Sequence, residues 1–142
     1  MESEELSNLT QELAHAALAA AERSYSPYSG FRVGAALKLT NGEIVTGTNV
    51  ENVSYGLTIC AERSALVRAV AQFGPEIRVS AVAVVNLNDT ASPPCGACRQ
   101  VLAEFMDADA PVSFPAGTDG IVATATLPIG ELLPFGFDLK LN

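Results

Sequence analysis

The chain has 142 residues, 49% of them hydrophobic, which fits a single globular domain over 1–142 with a substantial core. Sixteen acidic and eight basic residues give it a net charge of −8. This charge disfavours nucleic acids and anionic membranes as partners, because both are held largely by Lys and Arg, and leaves open a small ligand with little charge.

Hydropathy and the first residues indicate a compartment. No segment approaches the roughly 18 uninterrupted apolar residues that suggest a membrane span. The acidic start MESEELSNLT lacks the basic region of a secretory signal, so we expect a cytoplasmic protein. Structural disulfides are rare in that reducing compartment, and an odd count of three cysteines fits pairing poorly. The cysteines therefore need another role.

Helical and strand-like patterns alternate along the chain. Apolar residues at helical spacing mark the helices, and apolar or β-branched runs mark the strands. Asn41-Gly42 is a hairpin signal, and Gly74 with Pro75 ends a helix. In chain order the pattern predicts a helix over about 5–23, strands over 31–39 and 44–50, a helix over 60–73, a strand over 79–87, a helix over 96–106, strands over 111–115 and 120–127, and a short helix over 128–135.

This interleaving predicts an α/β fold with one mixed sheet and helices packed on its faces. The last two strands are joined by the short segment 116–120, so they should be antiparallel. Sites in such folds tend to lie at the carboxyl ends of strands and the amino ends of helices. Both helices that carry cysteines begin in such a place.

The cysteines have the spacing of a metal site. Cys95 and Cys98 are three residues apart at a helix start, so they share one face, and Cys60 opens another helix. Three thiolates with no fourth Cys favour a catalytic zinc, since a structural zinc normally has four protein ligands. The C-x-x-C pair by itself also fits a redox dithiol or two small buried residues.

Glu62 lies two residues after Cys60, at the start of an apolar helix. A carboxylate beside a zinc-bound water can take the proton of that water and pass it to a substrate nitrogen. The alternative is an exposed Glu that interacts favourably with the helix dipole.

Five segments together resemble the zinc-dependent nucleobase deaminases, and among them the small homotetrameric cytidine deaminases. The signature of the wider group is H-x-E followed by P-C-x-x-C, with a three-cysteine variant. The matching segments are FRVGAA (31–36), TNVEN (48–52), CAER (60–63), PCGACRQV (94–101) and ELLP (131–134). The match extends from about Tyr25 to Phe137.

The resemblance implies a three-layer α-β-α cytidine deaminase-like fold, in which a five-stranded mixed sheet has helices on both faces. It also implies one Zn²⁺ per subunit and hydrolytic deamination of cytidine and 2′-deoxycytidine to uridine and 2′-deoxyuridine, with release of ammonia, in pyrimidine salvage. The partners it implies are a nucleoside substrate and further copies of the chain, in a homotetramer with sites shared between subunits.

Residue roles follow from the same resemblance. Cys60, Cys95 and Cys98 would ligate zinc, and Glu62 would shuttle protons while zinc-bound hydroxide attacks C4 of cytosine. The substrate-binding residues would be Phe31, Asn49, Glu51, Tyr55, Ala61 and Phe137.

Within that set, Asn49 and Glu51 would bind the ribose hydroxyls, and the backbone of Ala61 would help to hold the base. Phe137 would reach into a neighbouring subunit, although Phe135 stands near enough to take that role. On the residues alone, TNVEN also fits a polar loop cap, and Phe31 and Tyr55 fit ordinary aromatic packing.

Three thiolates on Zn²⁺ leave a net charge of 2 − 3 = −1, which weakens the metal as a Lewis acid. Arg63 and Arg99 adjoin key residues and are predicted to compensate this charge, together with the amino ends of the two helices. Surface salt bridges are the alternative for both arginines.

Three other functions remain open from the sequence. The chain could deaminate a different aminated ring, edit polynucleotides or hold zinc without catalysis. The TNVEN segment favours a substrate with ribose, and the charge of −8 disfavours polynucleotides. A non-catalytic zinc module would need neither Glu62 nor an open coordination position.

Overall fold

The structure is a computed structural model that describes residues 2–118 and 121–139. A 3₁₀ helix lies at Tyr55–Leu57. The helices are α1 (Ser3–Ala21), α2 (Ala61–Phe73), α3 (Gly96–Ala103) and α4 (Ile129–Leu132), and the strands are β1 (Val33–Leu39), β2 (Ile44–Thr48), β3 (Val79–Asn86), β4 (Pro111–Thr118) and β5 (Ile121–Pro128). None of the helices in the described ranges has the length and apolarity to cross a membrane.

The strands form one five-stranded sheet in the order β2-β1-β3-β4-β5. β1 is antiparallel to both β2 and β3, and β5 is antiparallel to β4. β3 and β4 are parallel, because α3 carries the chain across between them. The predicted mixed sheet and its antiparallel final pair are confirmed.

Helices cover both faces of the sheet, as predicted for a three-layer fold. On one face α1 packs through Leu13 and Ala17 against a floor of alanines that includes Ala36 and Ala83. On the other face the buried side of α2 packs with α3 and α4 against larger side chains. This larger core includes Leu37, Leu66, Val82, Leu102, Val112 and Ile129. Alternate residues of the same strands supply the two cores.

Several element ends differ from the prediction, among them those of α3 and β4. The third helix ends at Ala103 instead of residue 106, since its chain tightens into turns in which Phe105 N–H bonds the carbonyl three residues back at 3.0 Å. The Phe105 carbonyl then accepts Val79 N–H at 2.8 Å, at the start of β3. β4 continues through Thr118, which the pattern assigned to a connection. The rest of that connection, 119–120, lies outside the described residues.

Two glycines let helices approach the sheet closely. A Cβ atom on Gly34 in β1 would lie 1.9 Å from the carbonyl oxygen of Ala17 in α1. A Cβ on Gly47 in β2 would lie 2.3 Å from the backbone nitrogen of Ala65 in α2. Neither contact can be relieved by a side-chain rotation, because the obstructing atoms belong to the backbone. The positions of α1 and α2 therefore depend on these glycines.

Gly34→Ala should lower the free energy of unfolding by about 1–3 kcal/mol or more, because the added methyl group forces α1 off the sheet. Gly56→Ala is the matched control, since a Cβ there meets nothing within 4 Å, and it should change stability by less than about 0.5 kcal/mol. Urea denaturation of both variants measures the difference. Equal stability of the two variants would contradict the close approach of α1 to Gly34.

Candidate active site

Three sulfur atoms meet where α2 and α3 begin. The Sγ atoms of Cys60, Cys95 and Cys98 all lie within 4.8 Å of one another, and those of Cys60 and Cys95 are 3.9 Å apart. Sulfurs bonded to a tetrahedral zinc ion at about 2.3 Å lie about 3.8 Å from one another. The three cysteines are free thiols, so the arrangement fits a metal site and not a disulfide.

The sequence places these thiols at helix amino ends. Cys60 is the N-cap residue of α2, and Cys95 is the N-cap residue of α3. Cys98 lies in the first turn of α3 and is buried. Helix amino ends carry partial positive charge, which favours a thiolate over a thiol. The sheet brings the two helix starts together.

Arg63 contacts the sulfur cluster from the first turn of α2. Its Nη2 atom donates to Cys60 Sγ at 3.2 Å, and this hydrogen bond is the main cause that raises the pKa of the guanidinium. Its Nε atom is buried without a hydrogen-bond partner among the described residues. The side chain is therefore held beside the sulfur cluster, and its role in charge compensation stays a prediction.

The pKa values of the Cys60 and Cys98 thiols are shifted in opposite directions. The pKa of Cys60 is lowered to about 5, first by the neighbouring Cys98 thiol and then by the Arg63 guanidinium. The hydrogen bond to Cys60, followed by burial, raises the pKa of Cys98. Zinc binds cysteine as thiolate, so zinc binding at this cluster would release the protons that these thiols carry.

Glu62 is buried in the first turn of α2, with only 4% of its surface exposed. Burial is the main cause that raises the pKa of its carboxyl group, and the nearby negative charge of Cys60 adds to the effect. An exposed residue that only favours the helix dipole would not be buried in this way. The side chain is suited to taking up and releasing a proton.

A pocket of about 260 Å³ opens above Glu62. It is smaller than two surface grooves elsewhere, but it is where the titratable groups with shifted pKa values converge. Its lining includes Phe31, Asn49, Glu51, Cys60, Ala61, Glu62 and Cys95. The structure therefore brings most of the predicted site residues around one cavity, with Cys98 buried next to it.

Asn49 is buried, and hydrogen bonds within its own chain use most of the capacity of its side-chain amide. Its Oδ1 atom accepts hydrogen bonds from the Ser24 hydroxyl and the Val33 N–H, and its Nδ2 atom donates to the Phe31 carbonyl at 2.8 Å. An amide nitrogen carries two hydrogens, so one remains for a ligand. The side chain is rigidly oriented at the rim of the pocket.

Glu51 is held by a turn that the sequence reasoning missed. Its carboxylate accepts hydrogen bonds from the N–H groups of Tyr28 and Ser29 and from the Ser29 hydroxyl. The Ser29 hydroxyl is the main cause that lowers the pKa of Glu51. Ser29 also accepts the Phe31 N–H at 3.0 Å, so it orients two pocket residues. The position of this Ser, two residues before Phe31 in the loop SYSPYSG, is the signal that could have identified it.

Two predicted substrate contacts lie away from this pocket. Tyr55 is 74% exposed and packs edge to face against Tyr28, with ring centroids 6.0 Å apart. Phe137 is 76% exposed and borders a different groove, beside Met106 and Leu133. Within one chain neither residue lines the cavity above Glu62.

Arg99 does not bind sulfur. Its Nε atom donates to the Pro94 carbonyl at 2.8 Å, and its Nη1 atom donates to the Leu132 carbonyl at 3.0 Å. The predicted compensation of thiolate charge by Arg99 therefore does not take the form of a hydrogen bond to a cysteine. The guanidinium instead holds the loop before Cys95 against the end of α4.

Known proteins share this arrangement. Residues 7–113 match the family described as the cytidine and deoxycytidylate deaminase zinc-binding region. The chain belongs to this family. A cytidine deaminase of Halalkalibacterium halodurans is 46% identical over 127 residues, which are 89% of this chain and 92% of the relative. A zinc-binding family fits the cysteine cluster, and each chain offers this one group of three metal ligands among its described residues.

Solved cytidine deaminase structures have the same fold. The enzyme from Mycobacterium tuberculosis superposes with a TM-score of 0.75 at 39% identity, covering 91% of this chain and 97% of that one. The enzyme from Burkholderia pseudomallei gives a TM-score of 0.75 at 43% identity, covering 89% and 98%. The predicted cytidine deaminase-like architecture is confirmed.

Cys98→Ala should abolish stoichiometric zinc binding, because two thiolates remain where the site needs three. Val82→Ala is the control, since it also removes buried volume but no sulfur. Atomic absorption of the purified proteins measures the zinc content. One zinc per chain in Cys98→Ala would exclude the three-thiolate site.

Arg63→Gln should raise the pKa of the Cys60 thiol above its value of about 5, because the guanidinium stabilises the thiolate. Thiolate absorbance during pH titration of the zinc-free protein measures the pKa. Arg68→Gln is the control on the same helix, since Arg68 donates to Thr46. An unchanged titration in Arg63→Gln would show that Arg63 does not compensate the charge.

Proposed function

We propose that this chain is a zinc-dependent cytidine deaminase, which hydrolyses cytidine and 2′-deoxycytidine to uridine and 2′-deoxyuridine with release of ammonia, a reaction of pyrimidine salvage. The observation that carries the proposal is the placement of a buried Glu62 beside three converging thiols, in one pocket with Asn49 and Glu51. The names of the relatives support the same reaction.

Cys60, Cys95 and Cys98 would hold the zinc ion. Zinc in such a site supplies a Lewis acid that lowers the pKa of water from 15.7 to about 7. Two helix amino ends and Arg63 offset the negative charge of the thiolates, so less of the Lewis acidity is lost.

Glu62 would carry protons between water and the cytosine ring. Its buried carboxylate accepts a proton from the attacking water and donates it to ring nitrogen N3, which makes C4 more electrophilic. The same side chain then assists departure of the amino group as ammonia. A raised pKa suits this role, because the group must bind and release a proton near neutral pH.

The rim of the pocket would bind the sugar. Asn49 retains one amide hydrogen for donation, and Glu51 offers carboxylate oxygens that accept hydrogen bonds from hydroxyl groups. The lowered pKa of Glu51 keeps it ionised and therefore an acceptor. Phe31 and the backbone of Ala61 would contact the nucleoside in the same pocket.

The competing functions have less support. The pocket of about 260 Å³ and the net charge of −8 suit a nucleoside better than a polynucleotide. A zinc module without catalysis would not require a buried carboxyl group beside the metal ligands.

Three free thiols suit a reducing compartment, which supports the proposed cytoplasmic location.

Exposed aromatic and aliphatic side chains support the proposed homotetramer. Val53, Tyr55 and Leu57 are alternate residues of the segment before Cys60, and they are 75%, 74% and 65% exposed. Such clusters usually mark a protein interface, and this one adjoins the residues that line the pocket. Tyr55 and Phe137 would then act in the site of a neighbouring copy, which accounts for their positions outside their own pocket.

Glu62→Gln should lower kcat for cytidine by about 10²–10⁴-fold, because the amide cannot accept and return a proton. Zinc content and thermal stability should stay close to those of the unaltered protein. Glu76→Gln is the control, since Glu76 is exposed. Ammonia release measures the rate, and full activity in Glu62→Gln would remove this residue from the proton path.

A further inference from the structure

The segment after α4 presents two aromatic rings to solvent. Phe135 is 98% exposed and Phe137 is 76% exposed. At such exposure, burial within its own chain contributes little stabilising free energy for either ring. The chain between them is nevertheless tightly packed, because a Cβ on Gly136 would lie 2.6 Å from the Leu133 side chain. An ordered backbone with exposed rings suits insertion into another copy.

Gln100 fixes the backbone of one of these two residues. Its Nε2 atom donates to the Phe137 carbonyl at 2.9 Å, and its Oε1 atom accepts the Phe137 N–H at 3.0 Å. A pair of hydrogen bonds to both backbone groups of one residue restricts its rotation and so sets the direction of its side chain. The described residues make no comparable side-chain contact to the backbone of Phe135.

Arg99, the residue before Gln100, also connects α3 to the chain near this aromatic segment. Arg99 joins the Pro94 carbonyl, directly before the metal ligand Cys95, to the Leu132 carbonyl at the end of α4. Three consecutive residues of α3 therefore have different partners. Cys98 is a proposed metal ligand, Arg99 binds the end of α4, and Gln100 binds the backbone of Phe137. The helix that carries two of the zinc ligands also anchors the exposed aromatic segment at both ends.

We propose that Gln100 is a positioning residue that aims Phe137, and not Phe135, into the nucleoside pocket of a neighbouring copy. The inference rests on the proposed function and deepens it, because it names the side chain that holds the proposed shared aromatic residue in place. Gln100 touches neither substrate nor metal in this account, so its effect passes through Phe137.

Co-expression of two altered chains tests the proposal. One chain, the donor, carries Glu62→Gln and keeps Phe137, whereas the other, the acceptor, carries Phe137→Ala and keeps Glu62. Mixed oligomers should recover cytidine deamination well above either chain alone, because an intact ring enters a site with an intact carboxylate. Gln100→Leu in the donor should lower this recovered activity about tenfold at low cytidine concentration, the change that about 1.4 kcal/mol produces.

The same substitution in the acceptor is the matched control and should leave the recovered activity within about twofold. Equal losses from the two chains would overturn the role of Gln100 while leaving the proposed deaminase standing. If the donor that keeps Gln100 fails to restore activity, both the shared aromatic contact and the role of Gln100 are refuted. A wild-type chain that binds zinc and releases no ammonia from cytidine would instead refute the proposed function.

A second comparison separates positioning from a general structural effect. Gln100→Leu in the otherwise unaltered protein should raise KM for cytidine about tenfold, with kcat and zinc content nearly unchanged. Adding it to Phe137→Ala should cause no further loss, whereas adding it to Phe135→Ala should cause the full loss. Gln11→Leu, at an exposed position of α1, should leave KM unchanged. Equal losses in the two phenylalanine backgrounds would contradict the assignment to Phe137.

Discussion

The convergence of three thiol groups is the constraint on which the rest of this structure depends. Cys60 and Cys95 are 35 residues apart in sequence, yet their sulfur atoms are separated by 3.9 Å. Thiolates this close repel one another unless positive charge surrounds them. The sheet order β2-β1-β3-β4-β5 resolves this by bringing the starts of α2 and α3 together, so that two helix amino ends face the same sulfurs. Gly47 lets α2 lie close enough to β2 for that arrangement.

The pocket contains two carboxyl groups with opposite acid–base properties. Glu62 and Glu51 line one cavity, yet their pKa values move in opposite directions. Burial and the negative charge of Cys60 favour the protonated form of Glu62, whereas hydrogen bonds from the turn at Ser29 favour the ionised form of Glu51. Opposite environments suit the two carboxyl groups to the different roles proposed for them, Glu62 as a proton carrier and Glu51 as a fixed acceptor.

Local patterns in the sequence were enough to predict the element order, the hairpin and the meeting of the cysteines at two helix starts. They could not predict the early end of α3 at Ala103, because it depends on a hydrogen bond between Phe105 and Val79, 26 residues earlier in the chain. The hold of Ser29 on Glu51 spans 22 residues and was missed for the same reason. Tyr55 and Phe137 lie outside the pocket of their own chain, and the proposed homotetramer would account for these positions.

Arg63 and Arg99 make different contacts, although each lies within one helical turn of a cysteine. Arg63 comes three residues after Cys60, so on the first turn of α2 it lies on the same face as that sulfur and donates to it at 3.2 Å. Arg99 comes four residues after Cys95, so helical spacing alone would also allow it to approach that sulfur. Its guanidinium reaches two carbonyl groups instead. Of the two arginines, only Arg63 donates a hydrogen bond to a cysteine sulfur, while Arg99 joins the start of α3 to the end of α4, just before the segment that carries Phe137.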